Sequence, residues 1–228
     1  MNYISTRDRS LHISAAEAIA CGLSRDGGLF VPEQIPSIDA ETIAALCSMN
    51  YQQRAVSIMK LFLADYTEEE LKVFTSKAYS MPGFDTPAVA PVQSLDEKTH
   101  FLELWHGPTS AFKDMALQML PYFLTSALTK TGEARKVCIL VATSGDTGKA
   151  ALEGFCDVDR TRIMVFYPKD GVSDVQKLQM TSQRGTNVGV SAVVGNFDDA
   201  QSGVKTIFSD PALREALSAK GWFLSSAN

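Results

Sequence analysis

The second half of the chain alternates short apolar runs with segments of helical spacing, and this alternation restricts the fold more than any other feature. The apolar runs read THFLELWH, KVCILVAT, RIMVFYP and NVGVSAVVG. Strands that are apolar throughout are buried on both faces, which is typical of a parallel sheet covered by helices. Right-handed crossovers between such strands produce a doubly wound α/β layer. Ligands of this architecture bind at the carboxyl ends of strands, so the strand-to-helix junctions are the candidate sites.

The segments between the apolar runs predict the helices of this layer. They read KDMALQMLPYFLTSALTK, DTGKAALEGFC, VSDVQKLQMTSQR, FDDAQSGVKTIFSD and PALREALSAKG. Proline lacks an amide hydrogen and its ring clashes with the preceding turn, so we expect the first of these helices to bend at Pro121.

Residues 1–81 have a different texture and predict a mostly helical N-terminal domain. In SAAEAIACGL (14–23), a serine start, Glu17 three positions later and Gly22 near the end predict a helix with a capping box. DAETIAALCSMN, YQQRAVSIMKLFLADY and TEEELKVFTSKAYS also have helical spacing, whereas SRDGGLFVPEQIP is dense in Gly and Pro and predicts a loop. Three prolines in MPGFDTPAVAPVQ (81–93) predict a connector. The predicted domains are therefore residues 1–81 and 82–228.

Composition and charge argue against several classes of function. The 228 residues carry a net charge of −5 without any Lys/Arg-rich run, which argues against a nucleic-acid partner. The longest apolar runs are too short to cross a bilayer, and the N-terminus lacks the apolar core of a signal peptide, so we expect no membrane association. The four cysteines show no CxxC spacing and the three histidines no HExxH motif, so we expect no metal. Reduced thiols, with Cys138 inside an apolar run, predict a cytoplasmic protein.

The first candidate junction is HGPTSAFKD, residues 106–114. Gly107 and Pro108 force a turn, and Lys113 begins the following helix. The start of a helix is the unfavourable end for a cation, so a neutral or covalently modified amine suits this place, as a nucleophilic lysine requires. An exposed lysine that extends past the turn fits the same placement, and both interpretations stay open.

The second candidate junction is TSGDTG, residues 143–148. Its glycines permit the backbone to approach a ligand closely, and its hydroxyls and the amides at the helix start suit an anion. A capped turn without a ligand explains the same residues, because Ser, Asp and Thr favour N-caps. The string is not a P-loop, since Thr143 stands where the first glycine is required and Ala150 follows Lys149.

The third candidate junction is VGNFDD, residues 194–199, where Asp198 and Asp199 open a helix. Acidic residues stabilise the first turn of a helix through its dipole, so a structural role is the preferred interpretation. Orientation of a neighbouring loop is the alternative.

Taken together, these strings resemble the threonine synthase family, a branch of the fold-type II (tryptophan-synthase β-like) pyridoxal-phosphate enzymes. YISTRDRS and GLSRDGGLFVPEQIP are similar to its N-terminal domain, LWHGPTSAFKDMA to its pyridoxal-lysine motif and VATSGDTGKAAL to its substrate loop. VGNFDDAQSGVK resembles a further stretch of the bacterial and fungal branch. The resemblance implies that the α/β layer has the tryptophan-synthase β-like fold.

The resemblance also implies a reaction and a set of site residues. Lys113 would hold pyridoxal 5'-phosphate covalently and transfer protons, while Phe112 and Asp146 would lie against the cofactor. The residues implied in binding the substrate's carboxylate are Thr143, Ser144, Gly145, Asp146 and Thr147. The reaction would be the last step of threonine biosynthesis, a carbon–oxygen lyase conversion of O-phospho-L-homoserine and water to L-threonine and phosphate.

Members of this family continue past the LSSAN string with a long C-terminal part. That part carries the Gly-rich loop for the cofactor phosphate and the partner of the pyridine nitrogen, so the resemblance implies a C-terminally truncated chain. Two alternatives stay open: an inactive truncated paralogue or fragment that acts as a binding module, and another fold-type II lyase such as a dehydratase.

Overall fold

The computed structural model describes residues 1–227, which divide into two compact units. The first unit contains residues 1–106 and 122–132, and the second contains residues 107–121 and those from 133 onwards. The units are defined by packing, whereas the predicted division after residue 81 rests on a change in the pattern of apolar residues, Gly and Pro along the sequence. That domain boundary therefore stays a prediction.

The first unit opens with a three-stranded antiparallel sheet of β1 (Tyr3–Ser5), β2 (His12–Ile13) and β3 (Phe30–Pro32), in the order β2-β1-β3. The prediction of a loop throughout SRDGGLFVPEQIP is wrong for β3. Its short apolar string pairs with β1, with Val31 opposite Ile4. Gly28 permits this pairing, because a Cβ atom there would overlap the hydroxyl of Ser5.

Four helices belong to this unit, the first of them between β2 and β3, and their starts follow the predicted capping rules. They are α1 (Ala15–Cys21), α2 (Ala40–Cys47), α3 (Tyr51–Phe62) and α4 (Glu68–Ala78). Ser14 and Glu17 form the predicted capping box of α1, and Gly22 ends this helix with a φ of 73°. Thr67 and Glu70 form the box of α4. The mostly helical character of this region is confirmed.

The first unit also contains a two-stranded antiparallel hairpin of β4 (Val92–Ser94) and β5 (His100–Leu102). The expectation that THFLELWH joins the parallel layer is therefore wrong. The carboxylate of Asp96 accepts the amides of Lys98 and Thr99, each at 2.8 Å, and this local turn returns the chain antiparallel to itself. All residues of both strands are exposed.

The predicted helix around Pro121 is two helices, α5 (Asp114–Leu117) and α6 (Leu120–Lys130). The break lies at residues 118–119, upstream of the predicted bend. A proline ring clashes with the carbonyl four residues earlier, so Pro121 ends the preceding helical segment at Leu117 rather than bending it.

The core of the first unit is built by its helices together with α6. Ala127 of α6 is fully buried in one cluster with Val56, Leu71 and Tyr66. The Tyr66 hydroxyl donates to the backbone carbonyl of Phe123 at 3.1 Å. These contacts explain why residues 122–132 pack with the first unit although they follow the lysine motif in sequence.

The second unit is an α/β layer around a parallel sheet. Its strands are β6 (Lys136–Ala142), β7 (Thr161–Pro168), β8 (Val188–Val193) and β9 (Trp222–Ser225), in the order β8-β7-β6-β9. Its longer helices are α7 (Asp146–Phe155), α8 (Asp174–Thr181), α9 (Phe197–Ser209) and α10 (Pro211–Ala219). The predicted α/β class is confirmed. None of the helices within residues 1–227 is long and apolar enough to span a membrane.

Helices cover both faces of this sheet. On one face, Leu140 of β6 packs with Ala200 and Val204 of α9. On the other, α7 approaches Val165 of β7 at Gly148, where a Cβ atom would lie 2.8 Å from Val165 Cγ1. Leu140 pairs in register with the residue before Val165, and successive residues of a strand point to opposite faces. The layer is therefore doubly wound, as predicted.

Helices α5 and α7 meet at a point where their backbones nearly touch. A Cβ atom at Gly154 of α7 would overlap the carbonyl oxygen of Leu117 in α5. Only glycine permits this approach, which packs the segment after the predicted lysine against the helix after TSGDTG.

We predict that Gly154→Ala lowers the free energy of unfolding by about 1–3 kcal/mol, because the added methyl group forces the two backbones apart. Gly203→Ala in α9 is the matched control, since nothing lies within 4 Å of a Cβ atom there. An alanine in that open helical position should raise the free energy of unfolding by roughly 0.5–1 kcal/mol. Denaturant titration of both variants measures the difference, and equal effects would contradict the close packing.

Candidate functional site

Residues 107–114 form a tight loop, called here the lysine loop, that leads into α5. The amide of Ser110 donates to the carbonyl of Gly107 at 3.0 Å, and Ser110 has the left-handed φ of 56° that few non-glycine residues adopt. Lys113 is half-buried at the N-cap of α5, so its predicted place at a helix start is confirmed. The predicted strand in THFLELWH is confirmed over His100–Leu102, and residues 103–106, which have no strand structure, separate it from this loop.

A buried carboxylate closes the lysine loop. Asp114 is fully buried and accepts two hydrogen bonds from Thr109, at 2.8 Å from the amide and 2.7 Å from the hydroxyl. Burial raises the pKa of Asp114, while these bonds and the charge of Lys149 act in the opposite direction. A Cβ atom at Gly107 would lie 2.5 Å from that of Asp114, so the loop needs glycine there.

The Lys113 amine lies above an exposed aromatic ring. Its Nζ is 5.0 Å from the centroid of Phe112, whose side chain is 54% exposed. No carboxylate within residues 1–227 forms an ion pair with Lys113. The amine is thus held by a weak contact of about 0.5–1 kcal/mol, which leaves it available for a ligand.

The second candidate junction, residues 143–147, lies at the carboxyl end of β6. Thr143 is buried, and its hydroxyl oxygen accepts the amides of Gly145 at 3.0 Å and Gly148 at 2.9 Å. This hydroxyl therefore holds the start of α7 against the strand. Of the predicted substrate-binding residues, Thr143 is the one whose oxygen serves the loop itself.

Gly145 has no room for a side chain. Its φ is 141°, and a Cβ atom would lie 2.5 Å from Nε2 of Gln176. The N-cap of α7 consequently packs closely against the Gln176 side chain of α8, and its backbone amide donates to the Thr143 hydroxyl. Amides at the start of a helix carry partial positive charge, which suits an anionic ligand.

The remaining side chains of this loop differ in their freedom. Ser144 is exposed and Thr147 is half-buried. The Asp146 carboxylate accepts a hydrogen bond from Gln176 Nε2 at 2.9 Å and lies 3.8 Å from Lys149 Nζ. Asp146 is thus anchored, whereas the Ser144 hydroxyl faces outward.

Sequence reasoning missed the role of two residues of α8, Gln176 and Gln179, that contact the two loops. Gln176 bonds to Asp146, and Gln179 bonds to both Lys149 and the carbonyl of Thr109. Residues three positions apart on a helix share one face, so the two glutamines on the predicted helix α8 formed a readable signal.

The third candidate junction is a helix start. Asn196 and Asp199 form the capping box of α9, and Asp198 lies in its first turn. The preferred structural interpretation of this acidic pair is confirmed.

His106, the first residue of the HGPTSAFKD string, belongs to the first unit and is held between two carboxylates. Its Nε2 lies 2.8 Å from Glu103 and its Nδ1 lies 2.6 Å from Asp85. The hydrogen bond to Glu103 and, to a smaller extent, the hydrogen bond to Asp85 raise the pKa of His106. No group of three or more His, Cys, Asp or Glu side chains in the described part of the chain is placed to hold a metal ion.

Known proteins have sequences similar to this chain. Residues 2–79 match the family model described as the threonine synthase N terminus. Threonine synthase of Pseudomonas aeruginosa is 42% identical over 211 residues, which cover 92% of this chain and 44% of that relative. The chain is therefore similar to the N-terminal part of threonine synthases along most of its own length. The Saccharomyces cerevisiae threonine synthase is 41% identical over 220 residues, covering 91% of this chain and 43% of the relative.

A solved threonine synthase also has the fold described above. The crystal structure of PLP-bound threonine synthase from Brucella melitensis matches with a TM-score of 0.88 at 39% identity. The match covers 100% of this chain and 47% of that one, so this chain spans less than half the length of each of these three threonine synthases. The predicted tryptophan-synthase β-like architecture is confirmed for the part present.

We predict that Thr143→Val lowers the free energy of unfolding by about 1–3 kcal/mol, because two amides lose their acceptor. Thr143→Ser retains the hydroxyl and is the matched control. Amide hydrogen exchange at Gly145 and Gly148 should accelerate in the valine variant and stay near the original rate in the serine variant. Unchanged exchange in the valine variant would show that the hydroxyl does not hold this loop.

Proposed function

We propose that this chain forms the part of the active site that contains Lys113 in a pyridoxal-phosphate-dependent threonine synthase. The proposed reaction is the conversion of O-phospho-L-homoserine and water to L-threonine and phosphate, the last step of threonine biosynthesis. The observation that carries the proposal is the Lys113 amine, which no carboxylate of the described residues pairs with and which lies in the same compact unit as residues 143–147. The solved PLP-bound threonine synthase from Brucella melitensis supports the choice of cofactor.

The residues present fit pyridoxal 5'-phosphate in part. Lys113 would bind it covalently, and the exposed ring of Phe112, 5.0 Å from the amine, would pack beside it. Asp146 is assigned to the edge of the site, where Gln176 fixes its carboxylate. When bound, the cofactor delocalises negative charge that develops at the substrate's Cα.

The loop at residues 143–147 is proposed to bind the substrate's carboxylate. Its exposed Ser144 hydroxyl and half-buried Thr147 hydroxyl are donors, and the first turn of α7 supplies the positive end of the helix dipole. Thr143 contributes by holding the start of this helix in place. A fixed carboxylate orients the Cα–H bond, and such positioning lowers the barrier by several kcal/mol in well-oriented systems.

Lys113 is proposed as the acid and base of the reaction. Its amine, once free, would take a proton from Cα and one from Cβ as phosphate leaves Cγ, and would return one proton to Cγ and one to Cα. A general base must lie within hydrogen-bond reach of the proton that it takes, which an amine released beside the reacting carbon satisfies. Water supplies the hydroxyl group at Cβ, and its other proton leaves with the released phosphate.

The setting proposed for this activity is the cytoplasm, with a small-molecule substrate. Cys21 and Cys47 are exposed free thiols, and Cys138 and Cys156 are also unpaired. Thiols persist in reduced form in the cytosol, which supports this location.

We predict that Lys113→Ala abolishes the visible absorption that pyridoxal phosphate produces on binding and lowers phosphate release by about 100-fold or more. Lys177→Ala, which removes an exposed lysine of α8, is the matched control and should change neither. Absorption and phosphate release that persist in purified Lys113→Ala would refute the assignment. Ammonia release from serine or threonine, without phosphate release from O-phospho-L-homoserine, would identify a dehydratase instead.

We predict that Ser144→Ala raises the apparent KM for O-phospho-L-homoserine about tenfold, because a hydrogen bond to a charged carboxylate is lost. The affinity for pyridoxal phosphate and the free energy of unfolding should stay unchanged, since this side chain is exposed. Steady-state kinetics and cofactor titration separate the two effects. An unchanged KM with lost cofactor affinity would place this loop against pyridoxal phosphate.

A further inference from the structure

A buried ammonium group lies between the two candidate loops. The Lys149 residue is only 8% exposed, and its Nζ donates to Gln179 Oε1 at 2.9 Å. Its second neighbour is the Asp146 carboxylate at 3.8 Å. A buried cation is costly unless acceptors surround it, so Lys149 needs Gln179.

Gln179 is held at both ends of its amide. Its oxygen faces Lys149, which can only donate, and its Nε2 donates to the carbonyl oxygen of Thr109 at 3.3 Å. Neither end can exchange with the other without losing both bonds, so the orientation of the amide is fixed. Gln179 thus links α7 to the lysine loop.

The lysine loop transmits this constraint toward Lys113. Thr109, whose carbonyl accepts from Gln179, also bonds twice to the fully buried Asp114. Asp114 follows Lys113 directly in the chain. A displacement of Gln179 therefore removes a support of the loop that carries the amine.

We propose that Lys149 and Gln179 are positioning residues that hold the lysine loop in a fixed place relative to residues 143–147. Buried polar pairs are often no more stabilising than apolar residues of the same shape. The presence of Lys149 and Gln179 here therefore indicates that they fix the position of the lysine loop, and not that they add stability. The proposal rests on the proposed function in assigning the cofactor to Lys113. A catalytic loop that shifts by about 1 Å can lose two orders of magnitude in rate.

Two variants test this proposal with a matched control. Gln179→Leu removes both bonds, and Lys149→Met removes the ammonium while keeping an unbranched stem. Gln183→Leu is the control, because Gln183 also bonds to α7, through Glu153 at 3.0 Å, but not to the lysine loop. The measurements are amide hydrogen exchange at Thr109 and Asp114 and titration of the protein with pyridoxal phosphate.

We expect exchange at Thr109 and Asp114 to accelerate about tenfold in Gln179→Leu and in Lys149→Met, and the affinity for pyridoxal phosphate to fall about tenfold. The Gln183→Leu variant should retain both properties. Exchange that is unchanged in the first two variants, or equally accelerated in the control, would overturn the proposal. If the original protein does not bind pyridoxal phosphate, the proposed function fails, whereas the exchange rates still decide the positioning role.

Discussion

The parallel pairing of β6 with β7 and β9 determines where the proposed site lies. β6 is central in the sheet and almost wholly buried, so a shift of its register would disrupt the packing of its side chains against the helices on both faces. Its end at Ala142 is therefore fixed, and the Thr143 hydroxyl then starts α7 by holding two of its amides. Along α7, Lys149 meets Gln179 and Gly154 meets the backbone of α5. One buried strand thus places both loops that the proposed chemistry uses.

Much of this fold was predictable because its signals are local. The capping boxes at Ser14 and Thr67 and the continuous apolar runs of β6 and β7 require only neighbouring residues. Errors arose where distant pairing decides the structure. The strand β3 exists because β1 pairs with it, and the hairpin of β4 and β5 depends on the turn at Asp96. The helix break before Pro121 was misplaced by a few residues, since the clash acts on the preceding turn.

For the candidate site too, local features were predictable from the sequence and tertiary contacts were not. The specific string around Lys113 and the TSGDTG loop indicated where chemistry would lie, and both fall within one compact unit. What the sequence could not give is how the loops are held. Gln179 bonds to Thr109 across 70 residues, and Thr143 turns its hydroxyl to its own loop instead of outward. Such contacts depend on the tertiary packing of α7 and α8, whereas the spacing of Gln176 and Gln179 indicates only that they share one face of a helix.

Lys113 as the covalent attachment point of pyridoxal phosphate is the central claim, and chemical trapping tests it most directly. The purified protein would be mixed with one equivalent of pyridoxal phosphate, treated with borohydride to make the carbon–nitrogen bond permanent, and digested for peptide mapping by mass spectrometry. The account predicts that the label lies predominantly on the peptide that contains Lys113. A label spread over the exposed lysines, or concentrated on another lysine such as Lys149, would contradict it.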